Sequence, residues 1–204
     1  MQQGQMRNFR AAPMRAMRPK RGEGETKMAT TRDDLMAFFA RNDIVVTTVD
    51  HPALFTVEES RSVRGEIPGA HTKNLFLKDK KGKMFLVVAE EDTEVALKSL
   101  HRRIGGSGRL SFASADQMQE LLGVEPGSVT AFGVINDCEH VVNVVLDERL
   151  GAYDIVNGHP LTNTATTSLR YEDLLRFFRL TGHAILVTKL GDDDEPNANE
   201  TSAK

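Results

Sequence analysis

The chain has 204 residues, 40% hydrophobic and 27% charged, with one cysteine, no tryptophan and a formal net charge of -3. That length favours one core of roughly 150 residues, and the composition is that of an ordinary globular protein. Cys138 stands alone, which excludes an intrachain disulfide and any zinc site built from several cysteines. No apolar run approaches the roughly 18 residues of a membrane span, and no secretory signal opens the chain, so a reducing cytoplasm is the expected location.

The charge is unevenly spread. Up to Lys27 the chain carries seven basic residues against Glu23 and Glu25, a balance of +5, whereas 191–204 carries five acids against Lys204, a balance of -4. Both ends lack apolar periodicity, so residues 1–28 are expected to be a disordered basic extension and 191–204 a disordered acidic tail, flanking one domain over 29–190. The basic end reads as a nucleic-acid-attracting arm, a transit-like peptide, or a segment ahead of a natural start at Met28. The helix signal just after Met28 favours the last.

Thr31 and Asp34 stand in capping-box spacing before Leu35, Phe38 and Phe39, so a first helix is expected to about Asn42. The β-branched run Ile44 to Val49 predicts a strand, and Thr56 with Glu59 a second capped helix stopping at Gly65. After the loop Gly65 to Ala70, strands are expected at Lys73 to Lys78 and Met84 to Ala89, joined as a hairpin at Lys81-Gly82. A short helix is expected over Asp92 to Leu100, and another capped by Ser114 and Gln117 and ended by Gly123. Strands are predicted at Val129 to Ile135, Val141 to Leu146 and Ala152 to Val156. A long helix around Leu174, Leu175 and Phe178 should end at Gly182, before a closing strand from Ala184 to Leu190. This irregular order implies a mixed α+β fold rather than a doubly wound sheet.

Three places invite a chemical reading. In Gly69-Ala70-His71-Thr72-Lys73-Asn74-Leu75-Phe76-Leu77, a period of two puts Lys73 on a face with Leu75 and Leu77, and Asn74 on the other with Phe76. An ammonium beside leucines either lines a cleft or snorkels from a sheet edge. In Asn157-Gly158-His159-Pro160, a glycine and a proline bracket a histidine, allowing close backbone approach to a ligand, although a lone loop histidine is more often structural. Lys78, Lys80, Lys81 and Lys83, with Arg102, Arg103 and Arg109, form basic clusters that suit either phosphates or plain solvent. Cys138 has no nucleophile signature, Gly105 to Gly108 lacks the ending of a phosphate-binding loop, and no histidine pair has metallohydrolase spacing. No metal and no cofactor are expected.

The strings Gly69 to Leu77, Pro126-Gly127-Ser128-Val129-Thr130, Phe132-Gly133-Val134-Ile135-Asn136-Asp137 and Gly158-His159-Pro160 resemble, in order and spacing, the YbaK/prolyl-tRNA synthetase-associated domain family, in particular its free-standing ProX/PrdX, ProXp-ala-like type. The resemblance covers roughly residues 30 to 190. It implies a compact α/β domain, a mixed and partly barrel-like β-sheet surrounded by helices, with a cleft for the 3′ end of an aminoacylated tRNA.

The resemblance implies a trans-editing deacylase that hydrolyses the ester of mischarged tRNA(Pro), most of all Ala-tRNA(Pro). The alternatives are a cysteinyl or seryl ester, or a tRNA-binding module without catalysis. A synthetase pocket shaped for proline discriminates against a smaller side chain by only about 1–3 kcal/mol per methylene, so a second sieve is needed. The resemblance assigns catalytic roles to Lys73, Asn74, Gly158 and His159, with water as nucleophile assisted by a hydroxyl of the terminal ribose. Thr72, Pro160, Val45, Thr47 and Phe55 are the expected substrate-binding residues. The 3′ end and acceptor stem of tRNA(Pro) are the expected partner, with prolyl-tRNA synthetase as a second, no membrane, and a monomeric state.

Overall fold

The computed structural model describes residues 28–53 and 67–191. Phe55, the helix expected from Thr56, residues 1–27 and residues 192–204 lie outside the described residues.

The first helix, α1 (Arg32–Arg41), begins at the expected capping box: Thr31 and Asp34 satisfy each other's backbone N–H groups. It buries Leu35 and Phe39. Next come β1 (Val46–Asp50), β2 (Ala70–Lys78) and β3 (Met84–Glu90), the last two paired antiparallel from Thr72↔Glu90 to Lys78↔Met84. The turn between them is held by Asp79, whose carboxylate accepts from the backbone of Ser107, Lys83 and Lys81 and is thereby held below its ordinary pKa.

The remaining α-helices and strands are the single turn α2 (Leu100–Arg103), β4 (Ser111–Phe112), α3 (Ala115–Leu122), β5 (Val142–Asp147), β6 (Ile155–Gly158), β7 (Ala165–Arg170), α4 (Tyr171–Leu180) and β8 (Ile185–Thr188), with 3₁₀ turns at Ala131–Asn136 and Glu148–Ala152. The sheet runs β1-β7-β6-β2-β3-β5-β8, with β4 added to β2. The fold is mixed α+β. Among the described residues no helix is long and apolar enough to cross a membrane.

Four sequence expectations are corrected here. Residues 92–99 form an irregular stretch and a turn rather than a helix, because Ala96 N–H goes to Leu190 O and Val95 and Leu97 pack into a core under the sheet. The run expected as a strand at Val129 to Ile135 is a 3₁₀ helix over Ala131–Asn136, capped by Thr130 Oγ1 on Phe132 N–H. It is buried almost throughout, so its apolar pattern carried no period to separate strand from helix. Strand β7 was missed because Ala165-Thr166-Thr167-Ser168 reads as polar. Strand β2 begins at Ala70, three residues before the expected start. Gly69 permits this with φ +105°, and a Cβ there would lie 2.6 Å from Ile155 O.

The pleat separates two cores. On one face Phe76, Leu86 and Val144 join Phe39, Phe132 and Phe177. On the other, Leu77, Phe85, Val87 and Val145 meet Leu100 and Leu190.

Asp137 ties the edge of β5 to the turn after α4. Its carboxylate accepts from Val141 N–H, Val142 N–H and His183 Nε2, the last at 3.2 Å with both side chains 1% exposed. Burial pushes its pKa up, but the bonds from His183, Val142 and Val141 outweigh that and leave it below the ordinary value. A depressed carboxyl stabilises the fold above the unfolded-state pKa of about 3.9, and that contribution fades as pH falls through the folded value. Because the substitution leaves buried donors of Val142 and His183 facing a weaker partner, we expect Asp137→Asn to cost about 1–3 kcal/mol at pH 7. In urea titrations the penalty should shrink as pH drops below about 4; a loss that is the same at pH 7 and pH 3 would show that the charge is not what stabilises the pair.

Candidate functional site

Strand β2 is paired along one edge by β3, while its outer edge is shared by two strands. Strand β6 runs parallel to it at Ala70↔Val156 and His71↔Asn157, and β4 antiparallel at Leu77↔Phe112 and Lys78↔Ser111. Among the described residues no strand pairs with that edge at 73–76. Backbone direction alternates along a strand. His71 O accepts from Glu91 N–H on the inner edge and Phe76 O from Ala113 N–H on the outer one, so the N–H and C=O of Asn74 point into the gap.

Partners in register share a face, and two side-chain contacts fix which. Ser168 Oγ donates to Asn157 Oδ1 at 2.6 Å, and Thr48 and Thr167 hydroxyls meet at 2.9 Å. Thr47↔Ser168↔Asn157↔His71 is therefore one row on a polar face. By alternation Val45, Val49, Thr166 and Lys73 belong to that face too. The amide of Asn157 is anchored there, since its Nδ2 donates to Pro68 O at 3.1 Å.

Lys73 sits where this polar face meets the apolar one beneath β3 and β5. Its amine donates to Glu91 O at 2.8 Å and its side chain is half-buried. If the β2–β6 register ran two residues further, His159 would stand level with Lys73, about 5 Å away between strand axes. The chain leaves the sheet there instead. His159 Nδ1 donates to Ala165 O at 3.1 Å, Leu161 N–H closes on His159 O at 2.9 Å, and Leu161 has φ +65°. A leucine in the left-handed region costs on the order of 1–3 kcal/mol, strain that gathers at ligand-binding loops.

The sequence-derived set is thus divided between the faces. Lys73, Val45 and Thr47 share the polar one, where Val45 is 78% exposed and Thr47 is exposed as well. Thr72 and Asn74 point to the other. Thr72 Oγ1 donates to Asn157 O at 2.8 Å, and among the described residues Asn74 Nδ2 makes only a long 3.5 Å bond to Thr72 Oγ1. The amide oxygen of Asn74 is buried with no donor among the described residues. Gly158 belongs to that second face as well: a Cβ there would stand 3.2 Å from the Phe132 ring and 3.7 Å from Thr72 Oγ1. Pro160 follows in the turn. His51, Thr166 and Ser168 were not singled out from the sequence, since only the pairing of β1, β7 and β6 brings them to this face.

Clefts of about 570, 520 and 560 Å³ lie elsewhere, beside Asp147 and Arg149, beside Asn136 and Cys138, and beside Lys80 and Arg109. Neither Lys73 nor His159 lines any of these three.

Comparison with known proteins assigns the chain that carries this face, gap and loop to a family. The aminoacyl-tRNA editing domain model matches residues 51–177, and the chain belongs to that family. It is 40% identical over 158 residues to prolyl-tRNA synthetase associated domain-containing protein 1 of Danio rerio, covering 76% of this chain and 85% of that one. It is 40% identical over 145 residues to the prolyl-tRNA editing protein ProX of Acetoanaerobium sticklandii, covering 71% and 88%. A crystal structure described as a candidate trans-editing enzyme for prolyl tRNA synthetase matches with TM-score 0.57 and 26% identity over 72% of this chain and 87% of that one.

The notch at Gly158 gives a direct packing test. Gly158→Ala forces the Phe132 ring aside and should cost about 1–3 kcal/mol in chemical denaturation. Adding Phe132→Leu, which removes the ring, should recover part of that loss; no recovery would place the conflict elsewhere.

Proposed function

We propose that this protein is a trans-editing deacylase that hydrolyses the ester of mischarged tRNA(Pro), with Ala-tRNA(Pro) as the preferred substrate. The observation that carries the reading is the half-buried amine of Lys73 on a polar sheet face, beside the gap into which the Asn74 backbone points. Relatives named for prolyl-tRNA editing support the same class of reaction.

In this reading the acylated ribose enters the gap. The amine of Lys73 exchanges the Glu91 carbonyl for an anionic or ester oxygen of the substrate, a substitution that suits a compact, movable ammonium. Water attacks the ester carbonyl, the new C–O bond forms as the bond to the ribose oxygen breaks, and the proton lost by water ends on that ribose oxygen. The ribose's neighbouring hydroxyl relays it. Negative charge developing on the carbonyl oxygen is met by backbone N–H groups of the Gly158-His159 loop and of Asn74. Thr72 holds Asn157 and thereby the start of that loop. Selectivity for alanine, in this reading, requires a recess too small for the proline ring.

A basic cleft lies further along β2. Lys80, Lys98 and Arg109 line it, and Phe112 stands beside them 58% exposed. Phe112 pairs with Leu77, four residues from Lys73, or about 14 Å along the strand. That separation suits the RNA that follows an acylated terminal nucleotide, with cations on phosphates and a ring for stacking.

Two measurements test the proposal. Incubated with Ala-, Cys-, Ser- and Pro-tRNA(Pro), the protein should hydrolyse the alanyl ester selectively, and Lys73→Ala should lower kcat/KM by about 10²-fold or more; background hydrolysis of all four esters would reject it. In tRNA binding titrations at varied salt, Lys80→Gln, Lys98→Gln and Arg109→Gln should each reduce the slope of log K against log salt by about 0.7 to 1. An unchanged slope would remove the cleft from the RNA path.

A further inference from the structure

We infer that His51 is a positioning residue for the loop that bears His159, holding it through a shared strand rather than touching the reacting ester. The inference rests on the reading of that loop as part of the deacylation site.

The geometry begins with the strands. His51 follows β1 directly, and its backbone N–H donates to Thr164 O at 2.9 Å, so β1 grips the far end of the loop. Its ring Nδ1 is 2.8 Å from Pro52 O and its Nε2 is 2.9 Å from Thr166 Oγ1. A carbonyl oxygen only accepts, so Nδ1 carries a proton, and in the Nδ1–H tautomer Nε2 accepts from the threonine hydroxyl. The same logic applies to His159, whose Nδ1–H donates to Ala165 O. The two imidazoles therefore hang from consecutive residues of β7 and meet edge to face, with centroids 6.4 Å apart and planes at 62°.

The loop needs such a support. Between its fixed ends it turns through Pro160 and the left-handed Leu161, a conformation that persists only where the surroundings over-determine it. One end is fixed by the β6–β7 pairing at Gly158↔Thr167. The other is fixed by His51 at Thr164, and the ring contact fixes the direction of His159 itself. Thr166, 8% exposed, gives the His51 ring a rigid acceptor-side partner. His51 also immediately precedes Pro52, so it joins this loop to the chain that continues past Ala53.

A double-mutant cycle on the full chain tests this. His51→Ala should lower kcat for Ala-tRNA(Pro) about tenfold with KM changed less than about twofold, since the residue aligns a group and does not bind the RNA. In the His159→Ala background the same change should have almost no further effect, because coupled residues are not additive. An equal loss in both backgrounds would overturn the inference. His51→Asn, which keeps a nitrogen donor toward Pro52 O and drops Nε2, guards against a folding defect and should behave as Thr166→Val does. Imidazole nitrogen shifts give a readout independent of turnover: the His159 Nδ1–H signal should move in His51→Asn and in Thr166→Val. A stationary signal overturns the positioning role even if the enzyme is active. A moving signal without hydrolysis of any ester upholds the positioning role and sinks the deacylase reading instead.

Discussion

The outer edge of β2 is the constraint on which the rest depends. A strand inside a sheet pairs its backbone groups with neighbours on both edges, yet the outer edge of this one is met at one end by parallel β6 and at the other by antiparallel β4. Opposite directions on one edge cannot merge into a continuous ladder. The interruption falls beside Lys73 and Asn74, and the chain leaving β6 has to turn away there through the Gly-His-Pro loop. Gap, loop and lysine are thus three results of one topological choice.

The same edge explains why one strand can carry a cation among leucines. Toward β3 and β5 the odd-numbered face of β2 is an apolar core, while toward β6, β7 and β1 it is a polar surface of anchored side chains. Lys73 lies on the seam. Its stem can rest on the apolar side while its amine finds the Glu91 carbonyl, which removes the desolvation penalty without committing the charge to a permanent ion pair. A lysine held by a single neutral carbonyl is ready to be transferred to an anionic group, whereas one locked to a carboxylate would have to break that pair first.

Away from the gap the structure is stiffened by short local devices. Asp79 draws the hairpin turn and the 105–108 loop together, and Asp137 with His183 closes the far end of β5 against the turn after α4. The aromatic cluster of Phe39, Phe132 and Phe177, in edge-to-face and tilted contacts of 5.3 to 5.7 Å, backs the sheet opposite the polar face. Phe132 has a double part, since it is also the ring that keeps position 158 free of a side chain. Core packing and loop geometry therefore meet in one residue.

Local chemistry was legible in the sequence. Both described capping boxes, the Gly82 and Gly123 turns and the β2–β3 hairpin follow from side chains that bond within three or four residues of themselves or from glycines that take φ above zero, and these act regardless of what lies across the fold. The motif strings announced the family for the same reason. Tertiary structure alone decided that the apolar run after Thr130 coils as a 3₁₀ helix, that Ala165 to Arg170 is a strand, and that residues 92–99 are not a helix. Each depends on which distant backbone offers hydrogen bonds and which side is buried. It also decided that Lys73 and Asn74, neighbours in sequence, face opposite sides, with His51 and Thr166 brought to the lysine's side from 20 and more residues away. A strand's alternation can be read from one sequence, but the strand that lies next to it is chosen by the closure of the whole sheet.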